Sequence, residues 1–307
     1  MFNTPILFVF FNRPEIIETS FKKIQEIQPS TLYLACDGPR NNHPDDVTNV
    51  QECKNIIMSM INWNCDVKTR FLTENIGCSK GVSSAIDWLF SNEDRGIILE
   101  DDCVPDLNFF IFCDELLERY KDDNRIGMIA GYNQLAEIDI PYSYLFSKYK
   151  ACWGWATWKR AWIKFDIDMK WRNSSYENDI IQNMGFKGKD FRYWKYRIKM
   201  IDINDVSAWD WQWYFSLSAE NQLCIFPKVN LISNIGFGNN ATHTSYEKKA
   251  IKSKEIAFPL IHPCYCTTNN TFEQKFYKKN NTTFYKIMRY IPISVKHFIK
   301  SIIRRFK

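Results

Sequence analysis

One arrangement recurs through residues 6–110, and it restricts the fold more than any total does. Ile6 to Phe11 is a short apolar run stopped by Asn12-Arg13-Pro14, and Pro14 suits the first turn of a helix reaching about Ile27. Thr31 to Cys36 is a second such run, stopped by Asp37-Gly38-Pro39; a helical stretch near Val47 to Ile61 follows, and Val67 to Leu72 reads as a third strand. Asn75 to Ser79 opens another helix, with Val82, Ala85, Ile86 and Leu89 at core-facing intervals, before a fourth strand from Gly96 to Leu99. Strand and helix in alternation predict a mostly parallel sheet with helices on both faces, whose ligands bind beyond the carboxyl ends of the strands. Arg13, Asp37 and Gly77 all fall at such ends, as do the acids Glu100, Asp101 and Asp102.

The chain has 307 residues, 45% of them apolar, which suits one large α/β domain or a domain with a small appendage. Its ten cysteines are scattered, with no CxxC pair and no histidine at zinc-finger spacing, which points to buried thiols in a reducing cytoplasm. No basic leader precedes the first strand and no run of eighteen apolar residues occurs, so neither a secretory signal nor a membrane span is expected. Charge is divided unevenly: ten Lys and Arg follow Glu273 with no acid among them. Setting those ten aside leaves 30 basic residues against 35 acidic ones, an acidic body with a basic tail.

Three consecutive acids at the end of an apolar strand repel one another unless a cation or hydrogen-bond donors neutralise them. Mg²⁺ or Mn²⁺ suits such hard oxygen ligands, and these ions usually take one or two protein carboxylates and complete their shell with substrate phosphates. A solvated turn between strand and helix is the alternative reading of the same three residues.

The run Ile97 to Phe110 (IILEDDCVPDLNFF) resembles the metal-binding segment of N-acetylglucosaminyltransferase I and related bacterial nucleotide-diphospho-sugar transferases of the GT-A fold. Phe10 to Pro14 (FFNRP) resembles that family's first nucleotide-binding loop, and Asp37 and the Gly-led helix from Asn75 to Phe90 follow in the family's order. The likeness covers most of residues 5–120 and is patchy beyond. It implies a Rossmann-like GT-A sheet, with Asp102 as direct metal ligand and Glu100 and Asp101 on the ribose or donor sugar. It also implies that Arg13 and Asp37 hold the nucleobase end. Lys80, or the backbone from Gly77 to Ser79, is a further donor contact, since amides at a helix start favour anions.

An inverting transfer needs a base for the acceptor hydroxyl. Asp210 is the candidate, set among Trp209, Trp211 and Trp213, where sugar faces could stack and partial burial would raise its basicity. Asp202, Asp205 and Glu220 are rivals, and a helix cap within a core element is the plainer reading of Asp210. The loop Asn234 to Thr244 (NIGFGNNATHT) could fold over a diphosphate with His243 as second metal ligand or phosphate contact; a surface histidine is the alternative. Trp153 to Trp162 (WGWATWKRAW) reads as part of the acceptor side, with core packing an equal claim on at least half of its rings.

Val295, Phe298, Ile299, Ile302, Ile303 and Phe306 share one helical face, while Lys296, Lys300 and Arg304 repeat on another. Such a helix lies in a lipid interface, drawn by anionic headgroups, unless it docks on the domain's own core. No nucleic-acid-binding module accompanies the charge, and no nucleic-acid partner is expected. The expected organisation is a nucleotide-sugar-binding half (1–125), an acceptor-binding half of the same domain (126–271) and a membrane-associating tail (272–307). The expected function is a metal-dependent, inverting transfer from a UDP-sugar, with UDP-N-acetylglucosamine the donor the resemblance suggests, to a surface-polysaccharide or lipid-linked glycan at the cytoplasmic face of a membrane. A retaining enzyme on the same fold and a non-catalytic glycan-binding protein are the alternatives. A nucleotidyltransferase fits less well, because FFNRPE lacks the glycines such enzymes carry after the first strand.

Overall fold

A computed structural model describes residues 1–203, 209–236, 251–283, 286–287, 291 and 295. β1 (Ile6–Phe10), α1 (Pro14–Ile27), β2 (Thr31–Cys36), α2 (Asp45–Met60), β3 (Asp66–Phe71), α3 (Cys78–Asn92) and β4 (Arg95–Glu100) follow the predicted alternation within a residue or two at most ends. The start of α3 differs by more, falling at Cys78 rather than Asn75. β5 (Cys103–Pro105) and α4 (Leu107–Arg119) come next, and Asp106 caps α4 by accepting from the Asn108 backbone N–H at 2.9 Å.

The second half is built of shorter elements. It supplies β6 (Ile126–Ala130), β7 (Tyr144–Ser147), β8 (Trp155–Trp158), α5 (Lys159–Trp162), α6 (Glu177–Gln182), α7 (Phe191–Asp202), α8 (Asp210–Ala219), β9 (Leu223–Pro227), β10 (Ile232–Asn234) and α9 (Asn270–Asn280). The polar stretch from Thr267 to Asn281 is largely α9, which buries Phe272, Glu273 and Phe276, with Glu273 accepting from the Lys148 N–H at 2.8 Å.

Eight strands form one sheet in the order β3-β2-β1-β4-β8-β6-β9-β7, in which β8 and β7 run against the other six. β1 reads ILFVF without a polar residue because both sheet faces are covered. Ile6, Phe8 and Phe10 enter a core with Ile17, Phe21 and Ile24 of α1 and Phe109 of α4, while Leu7 meets Val82, Ala85 and Leu89 of α3 on the opposite face. From β1 the chain steps outward to β2 and β3, then returns to lay β4 on β1's other side. The carboxyl ends of β1 and β4 therefore border a topological switch point, where open α/β sheets form their ligand crevice.

β5 pairs antiparallel with β10 in a two-stranded ribbon, Cys103 opposite Asn234, so the segment after the acids is fastened to one far along the chain. Among the described residues no helix is long and apolar enough to cross a membrane. The predicted interfacial helix lies outside the described residues apart from Val295.

Candidate active site at the switch point

Val9 of β1 pairs in register with Glu100 of β4, and the Asp101 N–H donates to the Val9 carbonyl at 3.1 Å. That register sets Asp101 beside the turn leaving β1. Asp101 is 3% exposed and accepts from the Arg13 guanidinium through both carboxylate oxygens, with the Phe11 N–H at 3.3 Å as a further donor. Ser20 of α1 donates its hydroxyl to the Asp101 carbonyl. Arg13 also reaches Asp102, Nη1 to Oδ2 at 3.3 Å. Burial by itself would lower the guanidinium, but the charges of Asp101 and Asp102 outweigh it and hold Arg13 above its usual value.

One guanidinium thus pairs with two carboxylates, and its charge also reaches Glu100. Burial first, then the charges of Asp102 and Asp101, drive the Glu100 carboxyl well above the usual carboxylate range, with Arg13 only partly offsetting them. Asp102 keeps a fifth of its side chain exposed. Its Oδ1 accepts from Asn234 Nδ2 at 3.2 Å, and its backbone carbonyl accepts from the Ile235 N–H at 2.9 Å. Gly236 packs directly against the Asp102 side chain, leaving no space there for a Cβ.

Asp37, at the end of β2, has its carboxylate occupied by backbone: Oδ1 accepts from the Gly38 and Ile76 N–H groups at 2.9 and 3.0 Å, and Oδ2 from Gly77 at 3.0 Å. It ties the loop before α3 to β2, with Gly77 at φ +82° as that loop's last residue. Lys80 is exposed in the first turn of α3. Beside this latch Arg40, Asn41, Glu74 and Asn75 line a polar cavity of about 320 Å³.

Asp210 opens α8. Burial pushes its carboxyl up to about 6, while the Trp211 N–H and the charge of Arg197 pull it back. Asp210 lies near enough to Glu100 for its charge to raise that carboxyl. The Cys78 thiol at the start of α3 is raised to about 12 by burial and then by the charges of Glu100, Asp210 and Asp37.

The tryptophans correct an expectation. Trp155, Trp158, Trp162, Trp209 and Trp213 are each at most 4% exposed, and Trp155 and Trp162 pack against each other and against Trp209 and Trp213 with centroids 4.9–6.4 Å apart. They are core rather than acceptor surface: positions 209 and 213 are one helical turn apart and both face the sheet, which leaves Trp211 half-buried on the other side. Gly154, at φ +60°, allows the predicted close approach, its missing Cβ falling within 2.8 Å of Ile232 Cγ1.

His243 and the rival Asp205 lie outside the described residues. Asp202 pairs with Arg172 and Glu220 with Lys164, both at the surface. Asn234 and Ser20 were not singled out from the sequence. Ser20 carries a readable signal, a polar residue inside the apolar stripe of Ile17, Phe21 and Ile24. Asn234 is visible only as the first residue of an Asn-x-Gly turn, closed by the Gly236 N–H on its Oδ1 at 2.9 Å.

Among the described residues no group of three or more His, Cys, Asp or Glu side chains is arranged to hold a metal unaided. No protein-family model matches the sequence, and no curated protein matches it. Among solved structures, HddC from Yersinia pseudotuberculosis is 9% identical with a TM-score of 0.30, over 52% of this chain and 78% of that one. Apo-UDP-glucose pyrophosphorylase is 8% identical with a TM-score of 0.37, over 75% of this chain and 92% of that one. UDP-glucose pyrophosphorylase complexed with UDP-glucose is 10% identical with a TM-score of 0.26, over 47% of this chain and 62% of that one. The likeness to N-acetylglucosaminyltransferase I is carried by sequence motifs alone.

Proposed function

We propose that the chain is a glycosyltransferase that takes a sugar from a nucleoside diphosphate, with Mn²⁺ or Mg²⁺ as its ion and Asp210 as its base. The observation that carries the reading is the acid cluster at the switch point, where Asp101 and Asp102 share the Arg13 guanidinium, Glu100 stands beside them, and a fourth acid, Asp210, lies near enough for its charge to act on Glu100.

A divalent ion fits this cluster. The acids carry more negative charge than Arg13 neutralises, and of the two that Arg13 pairs with, Asp102 is the one with exposed surface. An ion held by Asp102 and donor phosphates needs no three-residue protein cage, and when bound it would offset the charge of the leaving diphosphate. Arg13 holds Asp101 inward and steadies the strand end. Glu100, less acidic than an ordinary glutamate, can donate to or accept from a sugar or ribose hydroxyl. The polar cavity beside Asp37 has the size and position for the nucleobase end of the donor, in line with the expected role of that loop.

Asp210 would take the proton from an acceptor hydroxyl as its oxygen bonds to the anomeric carbon and the bond from that carbon to the diphosphate breaks. Attack opposite the leaving group gives inversion. The acceptor is a surface-polysaccharide or lipid-linked glycan, and the basic tail would bring the protein to an anionic membrane.

Release of nucleoside diphosphate from a panel of sugar nucleotides, with and without Mn²⁺, tests the reading. Metal-dependent release of UDP that Asp102→Ala abolishes is expected. Release of pyrophosphate from UTP and a sugar phosphate instead would make the chain a nucleotidyltransferase, and no nucleotide chemistry under either condition would dismiss both.

A further inference from the structure

Arg197 of α7 has no part in the reaction described above, yet its setting is unusual for a cation. Its guanidinium lies over the Trp211 ring, 4.4 Å from the centroid, and near the Tyr193 ring at 4.8 Å. Among the described residues it forms no ion pair, and its Nε is shut off from solvent without a hydrogen-bond partner. Buried donors are ordinarily satisfied, and those left unsatisfied in a native fold mark places with a reason to tolerate it. The acid that feels its charge is Asp210, one residue before the ring on which Arg197 rests.

The surrounding helix has the same sign. α7 carries Arg192, Lys195, Arg197 and Lys199 against one acid, Asp202, which Arg172 already neutralises. Lys195 is taken by Glu177, and Arg192 and Lys199 are exposed. A guanidinium stacked on aromatic faces is held in place by the rings, and with Nε closed off it is the Nη edge of Arg197 that would meet a carboxylate or phosphate. Trp211, half-buried, carries the guanidinium on its ring.

We infer that Arg197, braced by Trp211 and Tyr193, binds an anionic group of the acceptor next to Asp210, and that the acceptor is therefore an acidic glycan bearing a carboxylate or a phosphate. This deepens the glycosyltransferase reading and rests on it for the word acceptor. The clamp itself requires only that an acidic sugar bind beside Asp210.

The test uses the full chain with UDP and Mn²⁺ present and three soluble probes: a hexuronate-terminated disaccharide, a hexose 6-phosphate and a neutral disaccharide. At least one acidic probe binds about tenfold tighter than the neutral one, as expected for a charge-assisted contact. Arg197→Gln removes the preference, and Arg197→Lys, which keeps the charge but not the fork, keeps part of it. Which acidic probe prevails separates a carboxylate from a phosphate. On unaltered protein, where folding of a variant plays no part, the preference shrinks between about 50 mM and about 500 mM salt. Equal affinity for acidic and neutral probes, no binding of either acidic probe, or a preference that survives Arg197→Gln overturns the inference. Binding of UDP and Mn²⁺ is measured on the same samples. Its absence alongside an intact acid preference would remove the transferase reading and leave the clamp.

Discussion

Gly236 lies so close to Asp102 that a Cβ on it would stand 2.8 Å from the aspartate's own Cβ and overlap its carboxylate. Gly236→Ala must therefore push Asp102 away from Asn234. A misplacement of about 1 Å in a catalytic constellation can cost ~10²-fold in rate. Metal-dependent UDP release should fall by about that factor while the thermal midpoint moves little, because the ribbon of β5 and β10 is untouched. Unchanged kinetics would mean that Asp102 does not need its present position.

Asp210 should control the acid limb of the pH profile. Its carboxyl is raised to about 6, so the base form is lost as pH falls through that value. kcat/KM should then drop about tenfold per pH unit below it. Asp210→Asn should remove the limb and lower turnover by about 10²- to 10⁴-fold. Activity that persists undiminished at pH 5 would exclude Asp210 as the base.

The same shift has a stability consequence of known sign. A carboxyl whose folded value lies above its unfolded one binds protons more tightly when folded, so it favours the fold at low pH and costs stability as pH rises from about 4 to about 6. Asp210→Asn should therefore stabilise the protein by about 1–3 kcal/mol at neutral pH. The gain should shrink when the two proteins are compared near pH 4, and differential scanning calorimetry at both values reads the difference.

Arg13→Met strands the buried Asp101 carboxylate without its cation. Removing one partner of a buried ion pair costs about 3–5 kcal/mol, whereas replacing both with apolar groups is often close to neutral. Urea denaturation should show the full loss in Arg13→Met and a large recovery in Arg13→Met with Asp101→Leu. If the double variant is no better than the single one, the pair is not the unit the geometry indicates.

Gly154→Ala combines a left-handed backbone, φ +60°, with a side chain driven into Ile232 and Leu99. The two penalties together amount to about 2–5 kcal/mol. Pairing it with Ile232→Val should return part of the overpacking share, measurable as a partial rise in thermal midpoint.

The parallel half of the sheet was legible because each strand there is a short apolar run ended by a polar turn, and each helix repeats its apolar residues every three or four positions. The acids at the end of β4 were legible for the same reason: Glu100, Asp101 and Asp102 interrupt an apolar strand abruptly. The inward turn of Asp101 was not, because it depends on the register that sets Val9 against Glu100. The tryptophans misled because an aromatic run looks alike whether it faces a ligand or a core. Only the helical spacing of Trp209 and Trp213 separates them from Trp211, and the extent of α8 had to be known first. Asp37 reads as a ligand residue from its place after β2, yet its oxygens accept from backbone N–H groups some forty residues away, a contact with no local trace.

Asn234 stands 132 residues after Asp102, and the ribbon of β5 and β10 is what brings the two together. Closing so long a loop is slow compared with forming neighbouring strands and helices, because the chain entropy is lost before the contact repays it. The carboxylates therefore arrive early in folding and their bracing arrives late. A chain still emerging from the ribosome, with β4 laid down and β10 not yet made, would hold the three acids without the contact that fixes Asp102.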